Sequence, residues 1–218
     1  MLKSDFHLHA GTDEQHKLDY TPRQLIDLAC KRGYKVLSIT NHDTLTYSRE
    51  LSDYAKKRGI LLIPGAELSI EGKEVLAMNL TRQLKDRIRT FADLERYKGE
   101  NLLIIAPHPF YPTSKALHSK LIKNIGLFDA IEFSHFYLSW ITFNTKAVET
   151  ARRYKKPLVG TSDCHDLEQF GCTYSLVDAH QDIDSVFEAI RKNKVKIVTK
   201  PLPALKAARI FAKIYLFY

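Results

Sequence analysis

The chain is short of cysteine, of turn-forming residues and of long apolar runs, and each shortage removes a class of protein. Cys30, Cys164 and Cys172 are odd in number and lack Cys-x-x-Cys spacing, which argues against a disulfide framework or a thiolate metal site. Only 9 Gly and 8 Pro occur in 218 residues, so the composition is neither fibrous nor disordered. The longest wholly apolar runs, Leu102 to Ala106 and Ile214 to Tyr218, fall far short of the roughly 20 residues a membrane-spanning helix needs. The start, Met1-Leu2-Lys3-Ser4-Asp5, puts an acid where a signal peptide needs apolar residues, and a cytoplasmic protein is expected.

Acids also thin out along the chain. Residues 1 to 109 hold 17 basic and 15 acidic residues, residues 110 to 218 hold 16 and 10, and no acid follows Glu188. The net charge of +8 fits an anionic partner such as nucleic acid, a phosphorylated metabolite or a membrane surface, and equally fits Lys-rich solvated helix faces. What is abundant is apolar residues, 44% of the chain, enough for one sizeable core.

Short β-type runs alternate with helical stretches, and no internal repeat or linker interrupts them. Strands are predicted at 3 to 9, 35 to 40, 60 to 63, 74 to 79, 102 to 106, 129 to 134, 157 to 162, 174 to 178 and 195 to 199. Thr21-Pro22-Arg23-Gln24 ahead of Leu25, Ile26, Leu28 and Ala29 supplies an N-cap, a first-turn proline and helical apolar spacing that stops at Gly33. Further helices are predicted at 46 to 58, 83 to 97, 114 to 124, 141 to 155, 182 to 192 and 204 to 217. Strands each followed by a helix indicate a mostly parallel α/β sheet, either open or closed into a barrel.

Imidazoles and carboxylates gather at the ends of these strands. Asp5, His7 and His9 alternate, so on a strand they share one face while Phe6 and Leu8 take the other. His42, Glu67, His108, His135, Asp163 and His165 each follow a predicted strand, and in a parallel barrel those ends form one rim. So many titratable groups cannot be desolvated together without a cation. Imidazoles and carboxylates without thiolates suit Zn²⁺, Mn²⁺ or Fe²⁺, and their number exceeds the ligands of one centre, so two or three ions are expected with Glu67 bridging.

Asp5-Phe6-His7-Leu8-His9, Ile39-Thr40-Asn41-His42-Asp43, Pro64-Gly65-Ala66-Glu67, His108-Pro109 and Gly160-Thr161-Ser162-Asp163-Cys164-His165 together resemble the polymerase and histidinol phosphatase (PHP) superfamily, in order through about residue 178. The resemblance implies a distorted (β/α)7 TIM-like barrel over residues 1 to 200 with a trinuclear metal centre; the residues themselves predict a basic amphipathic helix over 201 to 218, packed on the barrel. It implies that His7, His9, Glu67 and Asp163 hold one ion, that Glu67 bridges to a second held by His108 and His135, and that His42 and His165 hold a third. The family's extra ligand to that third ion falls in Gly11-Thr12-Asp13-Glu14-Gln15-His16, where Asp13 is favoured and His16 is next.

Clustered divalent ions neutralise phosphate oxygens and turn water into hydroxide near neutral pH, so the expected activity is phosphomonoester hydrolysis, with Glu67, Asp163 and His165 as catalytic residues. The substrate class is a small phosphorylated metabolite or nucleotide. The alternatives are an exonuclease on RNA or DNA and a non-catalytic subunit of an RNA-processing complex. Cys164 is read as core; Asp5 and Asp43 are read as acceptors that fix ligand tautomers, with Asp43 alternatively capping a helix near Thr44. Lys115, His118 and Arg82 are candidate phosphate contacts or plain surface residues. Phe110, Tyr111, Phe136, Tyr137 and Trp140 either stack on a base or sugar or pack under loops. Lys206, Arg209 and Lys213 recur at helical spacing on an apolar tail that either closes the outer layer of the fold or meets a membrane surface or another subunit.

Overall fold

A computed structural model describes all residues except Thr12, Glu14, Lys17, Glu100, Phe217 and Tyr218, and for Phe211 and residues 213–216 it describes the backbone alone. The strands are β1 (Leu2–Asp5), β2 (Val36–Leu37), β3 (Leu61–Leu62), β4 (Gly65–Ile70), β5 (Lys73–Met78), β6 (Leu103–Ala106), β7 (Ala130–Ser134), β8 (Leu158–Thr161), β9 (Thr173–Val177) and β10 (Val195–Thr199). The helices are α1 (Pro22–Lys31), α2 (Arg49–Lys56), α3 (Arg82–Arg87), α4 (Phe91–Tyr97), α5 (Ser119–Lys123), α6 (Thr145–Tyr154), α7 (Ile183–Arg191) and α8 (Ala204–Leu216).

The strands form two five-stranded sheets, in the orders β10-β9-β1-β2-β3 and β4-β5-β6-β7-β8, in place of one closed barrel. Only half of the sheet is parallel: β1 with β2, β2 with β3, β6 with β7 and β7 with β8 run parallel, whereas β9 lies antiparallel to β1 and β10, and β5 lies antiparallel to β4 and β6. One cause is a hairpin that the strand–helix alternation hides. There Ile70 pairs with Lys73 across a two-residue turn in which Glu71 and Gly72 have φ of 49° and 74°. Two positive φ values make the turn whose twist matches antiparallel strands.

Between the sheets the backbone ladder shrinks to isolated bridges. Leu8 pairs with Cys164 at one seam and His42 with Glu67 at the other. Close to the first seam, Gly160 donates its N–H to the Ser175 hydroxyl, and a Cβ on Gly160 would come within 2.7 Å of Ile197 and 3.0 Å of the Tyr174 carbonyl. A Cβ on Gly65 would meet the Ser38 hydroxyl at 2.3 Å, so the chain passes the other seam only as glycine.

Helices form where the caps demand them. Thr21 and Gln24 make a reciprocal capping box, Pro22 takes the first turn, and α1 buries Leu25, Ile26 and Ala29. The helix expected over 83 to 97 is broken in two, because Ile88 goes extended to reach the core and Thr90 with Asp93 starts a fresh capping box. Ser48 caps α2, so that helix begins later than the apolar spacing indicates. Among the described residues the core divides into four clusters, one of them centred on the chain beyond β1, on β2 and on α1 with Leu8, Leu25 and Tyr34, another on β4 to β7 with Leu68, Ile104 and Phe128. Each fully buried large apolar side chain stabilises the fold by about 1.5–3 kcal/mol. Leu202, Ala207 and Ile210 of the α8 segment pack on Phe136, Leu138 and Cys172, and Lys206 donates to the Glu168 carbonyl at 2.6 Å. The expected basic apolar face at Lys213 and 214 to 218 lies outside the described side chains.

Candidate metal centre

The histidines and acids converge where the two sheets meet. Beyond β1 the chain stays extended, Phe6 and Leu8 enter separate apolar clusters, and His7 and His9 turn to the opposite side with ring centroids 5.2 Å apart. The Tyr20 hydroxyl, 2.9 Å from both the His9 and the Cys164 carbonyls, pins this extension to the chain leaving β8. Asn41 pairs both ways with the Ala10 backbone, accepting at 2.9 Å and donating at 2.8 Å, which sets His42 beside His9 with rings stacked at 4.6 Å.

Glu67 occupies the middle. It lies within β4 opposite Leu76, not after a strand as the sequence pattern implied, because Pro64-Gly65 marks a strand entry and not its end. Its Oε2 is 3.1 Å from His7 Nε2, 3.3 Å from His9 Nε2 and 3.3 Å from His42 Nε2, while its Oε1 is 3.4 Å from His108 Nε2. Asp163 Oδ1 adds a second focus, 3.3 Å from His7 Nε2, 3.5 Å from His9 Nε2 and 3.3 Å from His165 Nδ1.

The outward ring nitrogens are held by other carboxylates. His7 Nδ1 meets Glu132 Oε2 at 2.8 Å, His9 Nδ1 meets Asp13 Oδ2 at 3.1 Å, and His42 Nδ1 meets Asp13 Oδ1 at 2.8 Å. Such contacts fix a ring's tautomer and leave Nε2 bare toward the centre. Asp13, favoured from the sequence as a ligand, therefore stands behind two imidazoles, and its Oδ2 also accepts the His42 N–H at 2.7 Å. His16 presents its ring edge-on to His165 at 4.8 Å. His135 is buried nearby with its Nε2 3.1 Å from the Gln169 amide nitrogen, and among the described residues no carboxylate pairs with it.

The donor set fits divalent ions. His9 Nε2, Glu67 Oε1, Asp163 Oδ1 and His165 Nε2 are buried without a hydrogen bond, a costly state for polar atoms unless something else binds them. Separations of 3.3 to 3.5 Å exceed the 2.7–2.9 Å of a charge-assisted hydrogen bond and match two donors that share a tetrahedral ion at about 2.1 Å from each. Donor atoms of His7, His9 and Glu67, of His9, His42 and His165, of His7, His108 and Asp163, and of His42, Glu67 and Glu74 lie within 4.8 Å of one another in each group. Glu74 has no counterpart in the sequence reading.

Electrostatics follow the same division. Burial works against charge on His9 and His108, but Asp13, Asp163 and Glu67 beside the first and Glu67 beside the second outweigh it, raising them to about 10 and about 9. Burial likewise opposes ionisation of Glu67 and Asp163, yet the facing imidazoles hold both well below the usual carboxylate range. Burial, reinforced by neighbouring imidazoles, lowers His135 and His16 to about 4.

Asp5 points away from the ligand imidazoles: burial raises it to about 7, and it accepts the Ser162 hydroxyl at 2.6 Å and the His7 and Ser162 N–H groups. Asp43 accepts the Ser69 N–H at 2.8 Å and caps no helix, since α2 starts at Arg49. Neither carboxylate fixes a ligand tautomer; Glu132, from the interior of β7, does so for His7, and Asp13 does so for His9 and His42. Cys164 is fully buried in the β1–α1 cluster and donates its thiol to the Asp166 carbonyl at 3.1 Å.

The centre opens into a cavity of 610 Å³ whose floor holds Glu67, Glu74, His108, Asp163 and His165 and whose walls hold Tyr111, Phe136 and Phe143. Lys115 reaches over the mouth, pairing with Glu74 at 3.4 Å and with Gln15. His118 turns its Nε2 to the Thr113 carbonyl at 3.0 Å, Phe110 packs on the β4–β7 core, Tyr137 meets Thr199, and Trp140 is 67% exposed. Arg82 opens α3 and is exposed, away from the cavity lining.

Residues 142–195 match the family model described as PHP-associated. A crystal structure of a two-domain protein from Bacteroides vulgatus, which contains a predicted PHP-like metal-dependent phosphoesterase, superposes with a TM-score of 0.70 over 97% of this chain and 69% of that one, at 21% identity. The chain thus has the fold of a PHP-like protein, and its residues 142–195 carry a PHP-associated segment. PsfC from Pseudomonas syringae has a similar fold, with a TM-score of 0.66 over 99% of this chain and 97% of PsfC at 15% identity. The uncharacterized protein MJ1587 of Methanocaldococcus jannaschii is 28% identical over 128 residues, which are 55% of this chain and 75% of that protein. The PHP-associated segment includes α6, β8, β9 and α7, and so carries Asp163 and His165.

Proposed function

We propose that this PHP-like protein is a metal-dependent phosphoesterase that hydrolyses a phosphomonoester of a small phosphorylated metabolite or nucleotide. The observation that carries the reading is Glu67, a buried carboxylate with four imidazole Nε2 atoms within 3.4 Å of its two oxygens. His7, His9, His42, Glu67, His108, Asp163 and His165 would hold two or three divalent ions, of which Zn²⁺, Mn²⁺ and Fe²⁺ suit the donors. Such ions supply Lewis acidity toward phosphoryl oxygens and lower the pKa of a water.

The chain's own residues then orient the ester. Glu67, Asp163 and His165 line the cavity together with His42 and His108 and would flank the reacting phosphorus. Lys115, half exposed at the mouth, is placed to meet a non-bridging phosphate oxygen in exchange for its pairing with Glu74. The Tyr111, Phe136 and Phe143 walls cover the organic part of the substrate. Water oxygen bonds to phosphorus as the ester P–O bond breaks, giving an alcohol and inorganic phosphate. A bounded cavity of 610 Å³ fits a small ligand better than a polymer backbone.

The test is turnover of a panel of phosphomonoesters, nucleoside bisphosphates and short oligonucleotides by metal-analysed protein, with Mn²⁺ or Zn²⁺ added and then chelated. Chelator-sensitive release of phosphate from a small monoester is expected. Cleavage confined to oligonucleotides would replace the reading with an exonuclease, and protein that binds no metal under any loading would return it to a non-catalytic subunit.

A further inference from the structure

We propose that Glu74, on β5, is a second carboxylate shared between ion positions and takes the place that the family resemblance gives to His135. The inference rests on the metal-dependent reading above. Glu74 is 6% exposed, and its two oxygens face two different imidazoles: Oε1 is 3.6 Å from His42 Nε2 and Oε2 is 3.7 Å from His108 Nε2. Glu67 straddles the same pair from the other side, at 3.3 Å from His42 and 3.4 Å from His108. None of the four distances is a good hydrogen bond, and all four suit donors that flank an ion. The β4–β5 hairpin produces this symmetry, since its antiparallel strands place Ser69 opposite Glu74 and bring both acids to the same end of the centre.

His135 is engaged elsewhere. The Gln169 Oε1 accepts the backbone N–H groups of His165 at 2.8 Å and Asp166 at 2.6 Å, so the amide can present only its nitrogen to His135 Nε2, 3.1 Å away. An N–H donor on that nitrogen occupies its lone pair, and the neutral ring then carries its proton on Nδ1, which is buried without a hydrogen bond and has no lone pair left for a metal. His135 joins no group of converging donors among the described residues, whereas Glu74 joins one with His42 and Glu67. Gln169 therefore holds His135 as a structural acceptor beneath the loop that carries His165, and the carboxylate from β5 completes the coordination.

The competing account is that Glu74 only neutralises Lys115, 3.4 Å from its Oε1. Elemental analysis and Mn²⁺ titration followed by paramagnetic resonance, on full-length wild type, Glu74→Gln, Glu74→Asp, His135→Asn and Lys115→Ala, separate the two. Expected is the loss of one ion per chain, or its weakening by about tenfold or more, in Glu74→Gln, with partial recovery in Glu74→Asp and no change in His135→Asn or Lys115→Ala. If Glu74→Gln does not fold by circular dichroism, Glu74→Asp, which keeps the charge but withdraws it, must itself show the weakened ion. Full metal content at unchanged affinity in Glu74→Gln, or loss of an ion in His135→Asn, overturns the assignment and leaves the phosphoesterase reading standing. A wild-type chain that takes up no ion brings down both.

Discussion

The two sheets contribute opposite chemistry to one place. The sheet built around β1 and β2 leads into His7, His9 and His42, while the sheet of β4 to β8 supplies Glu67, Glu74 and Glu132 and leads into Asp163. His108 and His165 also come from the second sheet, and Asp13 from the first, but Asp13 stands behind its own sheet's imidazoles. Either half alone would bury groups mostly of one kind with nothing to compensate them, which costs several kcal/mol per ion. Joined, they neutralise each other across seams where the backbone makes only the Leu8–Cys164 and His42–Glu67 bridges. The site is thus also the joint between the sheets.

Glu67 tests the comparison most severely, since its two oxygens face four imidazoles drawn from both sheets. Glu67→Gln should lower phosphoesterase turnover by about a thousandfold and remove at least one ion while circular dichroism is unchanged. Retention of full metal and activity would break the account. Glu132→Gln acts one step back, on the tautomer of His7, and should weaken metal binding by about 10- to 100-fold with a smaller loss of turnover; unaltered affinity in a metal titration would show that the second sheet does not orient the first sheet's ligands. Asp13→Ala should cost more activity than His16→Ala, because Asp13 holds the outward nitrogens of two imidazoles. The reverse order in steady-state kinetics would make His16 a ligand in its own right.

The smallest effect is in pH. In metal-free protein His9 and His108 hold protons up to about 10 and about 9, above the ordinary imidazole value of 6.5. Their pairing with carboxylates therefore stabilises the metal-free fold fully below about pH 6.5 and is lost as pH rises through 9 to 10. Ions must displace those protons, so metal affinity should fall as pH is lowered and calorimetry in buffers of different ionisation enthalpy should record proton release at neutral pH. Binding without proton release would mean that the imidazoles are already neutral.

Much of this arrangement was legible in the sequence because it is local. Asp5-x-His7-x-His9 alternates, and alternation on an extended chain fixes a face whatever the rest of the fold does. Thr21 with Pro22 and Gln24 likewise specified α1 from four adjacent residues. The residues that escaped are those whose partners are remote: Glu132 meets His7 from 125 positions away, and Gln169 meets His135 from 34. A signal for Glu132 existed, an acid inside the apolar run Ala130-Ile131-Glu132-Phe133, where only a buried cationic or donor partner makes it tolerable. Glu74 gave none, since a Lys73-Glu74 pair reads as a solvated strand edge until β4 is known to run beside it. The seams were illegible for a similar reason, because they depend on how far two sheets curl toward each other and no short motif encodes that.

Three corners of the backbone carry one more consequence. Asp43, His108 and Asp163 all sit at φ of 45°, 24° and 42°, a region that residues with side chains enter at a cost of about 1–3 kcal/mol each. His108 and Asp163 stand two residues beyond β6 and β8 and themselves face the centre, and Asp43 follows His42, which does so too. Stripped of ions, the molecule should yield at these corners before its core loosens, and amide hydrogen exchange after chelation would register the release first around residues 43, 108 and 163. The turns that point the donors inward thereby also set the order in which the protein comes apart.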